Sequence, residues 1–221
     1  MILAVAGGKG GVGKTTLAYN LAAALSAVVV DADLGMADLP TGRGSGPDLH
    51  DVLAGRAAPT ECVRGEPVPV VPCGRSLAGA RASDLTDLAG ALRAVERRHG
   101  TVVVDCPAGR RADAGVPLAV ADACLLAVSP RAFALADAIR TRELARELDA
   151  GLVAAAVNRV VDPGAVPTER VADALGAPAR VVPADPRVGR SVSEEAPVVD
   201  AAPDSDAAAA VRSLAERVPT D

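Results

Sequence analysis

The 221-residue sequence is almost without aromatic rings: one tyrosine, Tyr19, one phenylalanine, Phe133, and no tryptophan. A core of stacked rings is excluded, so alanine, valine and leucine must fill it. Half of the residues are nonetheless hydrophobic, enough for one core in a chain the size of a single large domain, 1–221. Lysine is nearly missing as well. Of 23 cationic residues only Lys9 and Lys14 are lysines, and both fall in one short stretch. A chain that otherwise uses arginine keeps the compact ammonium where a planar guanidinium would serve less well.

No run of 18 apolar residues occurs, so no membrane-spanning helix is expected. The opening residues run straight into Gly7-Gly8 and read as a strand of the fold rather than a signal segment. The four cysteines, at 62, 73, 106 and 124, form no C-x-x-C pair. Zinc-ribbon and redox-pair readings therefore fall away, and the thiols read as reduced, in a cytoplasmic protein. The 28 acidic residues give a net charge of -5. That balance lacks the strongly basic footprint of a nucleic-acid-binding domain, and the apolar content is too high for disorder.

Short β-branched runs alternate with longer alanine- and leucine-rich stretches. Strands are expected over 2–6, 28–31, 67–71, 101–105, 123–129, 152–158 and 180–183, and helices over 15–25, 84–98, 113–121, 133–148, 167–175 and 204–217. Near-continuous apolar strands separated by helices predict an α/β fold, a doubly wound, mostly parallel sheet with helices on both faces. The glycine- and proline-rich stretch 40–47 reads as a loop too short to separate domains.

The first strand leads into Gly8-Lys9-Gly10-Gly11-Val12-Gly13-Lys14-Thr15, then Thr16 and a helix. This is G-x-x-x-x-G-K-[ST] in its strand–loop–helix context. Glycines let the backbone curl so that successive N–H groups wrap phosphate oxygens at the positive end of the helix. The motif assigns Lys14 to the β- and γ-phosphates and the Thr15 hydroxyl to Mg²⁺, and makes residues 8–16 a binding site for ATP. Asp31 closes the second strand, and Asp33, on the same face by the period of two, falls at its end or in the loop beyond, beside the expected crevice. Asp105 ends a further apolar strand and suits the Mg²⁺ side of such a site. Cys106 reads as a small buried filler.

Lys9, directly after the first glycine, is not needed by an ordinary phosphate loop. The run Lys9 to Thr16 resembles the K-G-G-x-G-K-T-T pattern of the deviant P-loop ATPases, the MinD/ParA family, which also includes the nitrogenase iron protein. The resemblance implies that Lys9 crosses to the partner's phosphates in an ATP-sandwich homodimer. It implies that Asp33 orients the attacking water and stands with Thr15 and Asp105 at the metal. It makes Asp105-Cys106-Pro107-Ala108-Gly109 a switch in which Gly109 lets the backbone swing. It also implies that Asn158 contacts adenine, while Pro183 and Asp185 belong to a segment closing over the base. Asp38 fits either a metal-linked role or a turn cap, and Arg110 and Arg111 either a catalytic or a surface position. Residues 49–53 are similar to a short helix of MinD-like proteins, which leaves His50 as a packing or surface residue.

Within that family, the iron–sulfur members need cluster-ligating cysteines that this chain lacks. DNA is not an expected partner: Arg140, Arg142 and Arg146 share a helix with Glu143 and Glu147 and read as a solvated face, and Arg187 and Arg190 add little against so many acids. Direct membrane binding is not expected either, since the tail 204–221 carries more acids than bases and would be repelled by anionic lipid. The reading that results is a MinD-like ATPase, slow without a partner. Its ATP- and Mg²⁺-dependent dimer would act as a switch that positions an activator or cargo protein, as in cell division or polar assembly. The alternatives are a ParA-like DNA-partition ATPase and a nucleotide-dependent scaffold with little hydrolysis.

Overall fold

The computed structural model describes residues 1–35, 39, 46–74, 76–109, 112–131 and 134–219. Asp38, Arg110, Arg111, Phe133 and most of the 40–47 loop lie outside the described residues. Seven strands form one sheet: β1 Ile2–Ala6, β2 Val28–Asp31, β3 Val70–Val71, β4 Val102–Asp105, β5 Ala123–Val128, β6 Gly151–Val160 and β7 Ala179–Pro183. Every neighbouring pair is parallel, in the order β3-β2-β4-β1-β5-β6-β7. The helices are α1 Lys14–Ala24, α2 Leu49–Leu53, α3 Leu77–Ala82, α4 Leu88–His99, α5 Ala112–Val120, α6 Ala134–Glu147, α7 Thr168–Leu175, α8 Pro186–Arg190, α9 Val198–Ala201 and α10 Asp206–Ala215.

Alternation along the strands divides the core into two layers. Ile2, Ala4, Val102, Val104, Cys124 and Leu126 face one layer with Leu88, Leu92 and Val95 of α4 and Leu118 of α5. Leu3, Val5, Val103 and Leu125 face the other, against Leu17 and Leu21 of α1 and Val211 and Leu214 of α10. The tail helix α10 is thereby packed on the sheet, its apolar stripe buried. Most of these side chains are alanine, valine or leucine, and the one large aromatic ring in the core among the described residues is Tyr19 of α1, 1% exposed in the second layer.

Most limits differ from the sequence reading by only one or two residues, and three larger or internal departures have a local reason. Residues 67–71 yield a strand only at Val70–Val71, because Pro67 and Pro69 have no N–H to give a ladder; Pro69 contributes its carbonyl alone, accepting from Val29 N at 2.9 Å. The helix expected from residue 84 begins at Leu88. Asp84 caps a tight 3₁₀ turn, Leu85–Asp87, by accepting from Thr86 N at 2.9 Å. β6 continues past Asn158 to Val160 through a register shift, with Arg159 at φ 60°. α3, α8 and α9, of four to six residues, are too short for a helical period to announce itself.

The sheet order places the site. From β1 the chain crosses over to β2, while from β4 it crosses the other way to β5. The connections part above the adjacent ends of β1 and β4, leaving a crevice outside the carboxyl ends of the strands.

Candidate functional site

Residues 7–13 join β1 to α1 over that crevice. Gly11 and Gly13 have φ of 78° and 89°, a backbone turn that side chains rarely adopt. A Cβ at Gly10 or Gly11 would meet nothing within 4 Å, so the loop borders open space at those positions. At Gly13 it would collide with the Asn158 amide. Lys14 is the first residue of α1 and is buried. With Thr15, Thr16, Asp33, Asp105 and Ala108 it lines a cleft of about 350 Å³. Sequence residues drawn from three strand ends are brought together here.

Asp105 is a strongly perturbed carboxyl in that cleft. It is 1% exposed, and the Thr15 side chain is hydrogen-bonded to it. Its Oδ1 has no hydrogen-bond partner among the described residues. Burial pushes its pKa up to about 7; the Thr15 bond opposes this, the Asp31 charge reinforces it, Lys14 lowers it again and Asp33 adds a further rise. A buried carboxylate oxygen left bare beside a hydroxyl and a second carboxylate is a hard, all-oxygen donor set, and a divalent cation such as Mg²⁺ fits it.

Asp31 and Asp33 separate in function. Asp31 is fully buried and its two oxygens accept from the backbone N–H groups of Asp33 and Leu39, both at 3.2 Å. It therefore anchors the loop that leaves β2. Asp33, one turn on, is half-buried and faces the cleft.

Lys9 lies on the other side of the phosphate loop. Its ammonium is 2.9 Å from Asp137 in the first turn of α6, and half of the side chain is exposed. The Lys9 bond holds the Asp137 carboxyl below the usual range, with Arg140 reinforcing it. A second cleft, of about 350 Å³, opens there between the loop, the end of β5 and α6, with Gly8, Val12, Ser129 and Arg131 among its walls.

Asn158 is buried, and its amide donates to the Val12 carbonyl at 2.9 Å while accepting from Arg159 N at 3.0 Å. Pro183 and Asp185 line a third cleft, of about 370 Å³, with Thr16, Asn158 and Gly189. Both oxygens of Asp185 are already engaged. They accept from Arg187 N at 2.8 Å and pair with its guanidinium at 3.0 and 2.7 Å, which holds Asp185 below the usual carboxylate range. Its position is that of the α8 cap. One residue escaped the sequence reading: Arg159, whose guanidinium donates to the Gly11 carbonyl at 3.0 Å and which borders all three clefts. Only its left-handed backbone, invisible in the sequence, turns it over the loop.

The geometry agrees with what the chain is similar to. The profile of the CobQ/CobB/MinD/ParA nucleotide binding domain matches residues 3–198. An uncharacterised ATP-binding protein of Methanocaldococcus jannaschii is 33% identical over 98% of this chain and 86% of its own length. The cell division ATPase MinD of Pyrococcus furiosus superposes with a TM-score of 0.89 at 29% identity, covering 98% of this chain and 97% of that one. The septum site-determining protein MinD of Pyrococcus horikoshii, solved with Mg-ADP, gives 0.89 at 28% identity, over 97% and 94%.

Proposed function

This chain belongs to the CobQ/CobB/MinD/ParA nucleotide-binding family, and from that premise we propose that it is a MinD-like ATPase whose ATP-bound dimer positions a partner protein and is undone by hydrolysis. The observation that carries the reading is the meeting of Lys14, Thr15, Asp33 and Asp105 in one cleft, with a bare carboxylate oxygen on Asp105.

In this mechanism the open curl of residues 10–13 holds the triphosphate through backbone N–H groups, and Lys14 sets its ammonium against the β- and γ-oxygens. Thr15 and Asp105 would hold Mg²⁺, with Asp33 alongside, and the chemistry such an ion would supply is neutralisation of charge developing on the phosphate oxygens. Asp33 accepts a hydrogen bond from the attacking water and orients it in line with the γ-phosphorus. Asn158 and Pro183 present an amide edge and a ring face to adenine in the third cleft, and Asp185 shapes that cleft as the cap of α8. Lys9 of each copy leaves Asp137 and reaches the nucleotide of the other, so the triphosphates join two chains. The same domain, 1–221, carries all of these groups.

The partner is a second copy of this chain together with an activator or cargo protein. Two features weigh against a DNA partner: the net charge of -5, and the pairing of Arg140, Arg142, Arg187 and Arg190 with acids of the same chain. No helix among the described residues is long and apolar enough to cross a membrane. The competing class is a nucleotide-dependent scaffold that barely hydrolyses. Phosphate release by the wild type and by Asp33→Ala separates the two. The switch predicts at least a tenfold lower rate in the variant at unchanged nucleotide affinity; equal rates would leave the scaffold.

A further inference from the structure

Behind Asp33, on the side away from the cleft, lies a buried pair that no step above uses. Cys73, in the segment that leaves β3, donates its thiol to the carbonyl of Asp33 at 3.3 Å. His50, on α2, has Nε2 3.3 Å from the carbonyl of Leu34 and 3.4 Å from the Cys73 sulfur. Both side chains are almost fully buried, at 3% and 1% exposure. The tautomer with hydrogen on Nε2 satisfies the Leu34 carbonyl and leaves a lone pair on Nδ1, the atom without a partner among the described residues.

The ring has little freedom to move. An added Cβ at Gly74 would come within 2.6 Å of Nδ1, and one at Gly79 within 2.9 Å. The backbone of α2 is tied to the same strand exit, with Leu49 N donating to Pro72 O at 2.9 Å and His50 N to Cys73 O at 3.0 Å. Asp48 and Asp51 close a reciprocal cap on the helix start. The histidine and the thiol are thus fixed to α2 and to β3, and each takes one of two successive carbonyls in the turn that carries Asp33.

We propose that His50 and Cys73 are positioning residues: they clamp the 33–34 backbone so that the Asp33 carboxylate is held over the Thr15–Asp105 pair. This deepens the ATPase reading and rests on it for the role of Asp33. Asp31 braces the turn through the N–H of Asp33. The clamp adds the carbonyl side, so that both directions of the peptide chain are held. Preorganisation of this kind acts on turnover more than on binding, because the phosphate loop grips the nucleotide independently.

The test compares His50→Ala, His50→Gln, Cys73→Ala and Cys73→Ser with wild type, in ATP turnover and in amide hydrogen exchange of the full chain. Glutamine can present an amide N–H near the former Nε2, and serine keeps a hydroxyl donor. The clamp predicts that exchange across 33–35 speeds up about tenfold in both alanine variants, while β1 and α1 keep wild-type protection. It predicts kcat falling by about tenfold with KM within about twofold, and recovery of most of that loss in His50→Gln and Cys73→Ser. Exchange at 33–35 unchanged in both alanine variants would overturn it. So would loss spread evenly over β1, β2 and α1, or a glutamine variant as impaired as alanine, since either describes a packing residue. If wild type releases no phosphate, the ATPase reading fails, and the exchange pattern still decides whether the clamp exists.

Discussion

The ammonium of Lys9 and the carboxylate of Asp137 hold each other at 2.9 Å across the gap between the phosphate loop and α6. In the single chain, therefore, the lysine assigned to the neighbour's nucleotide is occupied at home. In the proposed dimer this contact would be exchanged for one with phosphate.

Asp137→Asn removes the charge that retains Lys9 and is expected to raise the ATP-dependent dimer fraction severalfold at a given concentration, read by light scattering with Asp33→Ala as the hydrolysis-poor background. Lys9→Ala in the same background is expected to stay monomeric. A Lys9→Ala chain that doubles its mass with ATP would remove the trans role of that lysine.

Asp105 makes ligand-free stability depend on pH in an unusual direction. Its folded value of about 7 lies above the 3.8 of an ordinary aspartate. Between about pH 4 and 7 the folded chain keeps a proton that the unfolded chain has released, so stability falls as pH rises through that window. Asp105→Asn is expected to remove this contribution to the slope and to raise Tm at pH 8 by on the order of 5 °C, consistent with a buried charge costing a few kcal/mol. Mg²⁺ with ADP should raise the wild-type Tm at pH 8 by more than it raises that of Asp105→Asn, which keeps the phosphate loop and loses the metal-side charge. Thermal unfolding at pH 5 and pH 8 checks both.

Gly13→Ala places a methyl against the Asn158 amide on a left-handed backbone. Strain of roughly 1–3 kcal/mol and displacement of Asn158 from the Val12 carbonyl should together cost at least tenfold in nucleotide affinity. Isothermal titration measures it, and circular dichroism should show an intact fold.

Asn20 is a structural counterpart to these changes. Buried in α1, its amide donates to Thr16 O and Ser191 Oγ and its oxygen accepts from Val198 N, each at 2.7 Å. Asn20→Ala strands a buried N–H and frees the segment that walls the third cleft. A loss of about 2–3 kcal/mol, or roughly 5–10 °C in Tm, is expected from thermal unfolding. A change under one degree would show that Val198 N finds water instead.

Legibility followed the scale of the signal. β1 and β2 were readable to the residue, because a strand buried on both faces is an unbroken apolar run ended by glycine or aspartate. The phosphate loop was readable because its chemistry needs particular residues at fixed spacing. The family resemblance singled out Asp33 from the Asp31–Asp33 pair, but only the fold shows that Asp31 braces the turn. Arg159 and the His50–Cys73 pair were not readable. The first depends on a backbone reversal within β6, and the second on contacts spanning 16, 23 and 40 residues of sequence. Asp185 shows the local side of the same point: it lines the third cleft, and the pairing of both its oxygens with Arg187, two residues on, is visible only in the fold.

Gly8 carries a last implication. A side chain there would run into the backbone and Cβ of Asp137, so α6 rests directly on the loop that cradles phosphate. That loop continues into α1 on the opposite face of the sheet. The loop thus lies between the two helical layers, in contact with α6 on one side and continuous with α1 on the other, so a bulkier residue at position 8 would have to displace α6 before it disturbed α1.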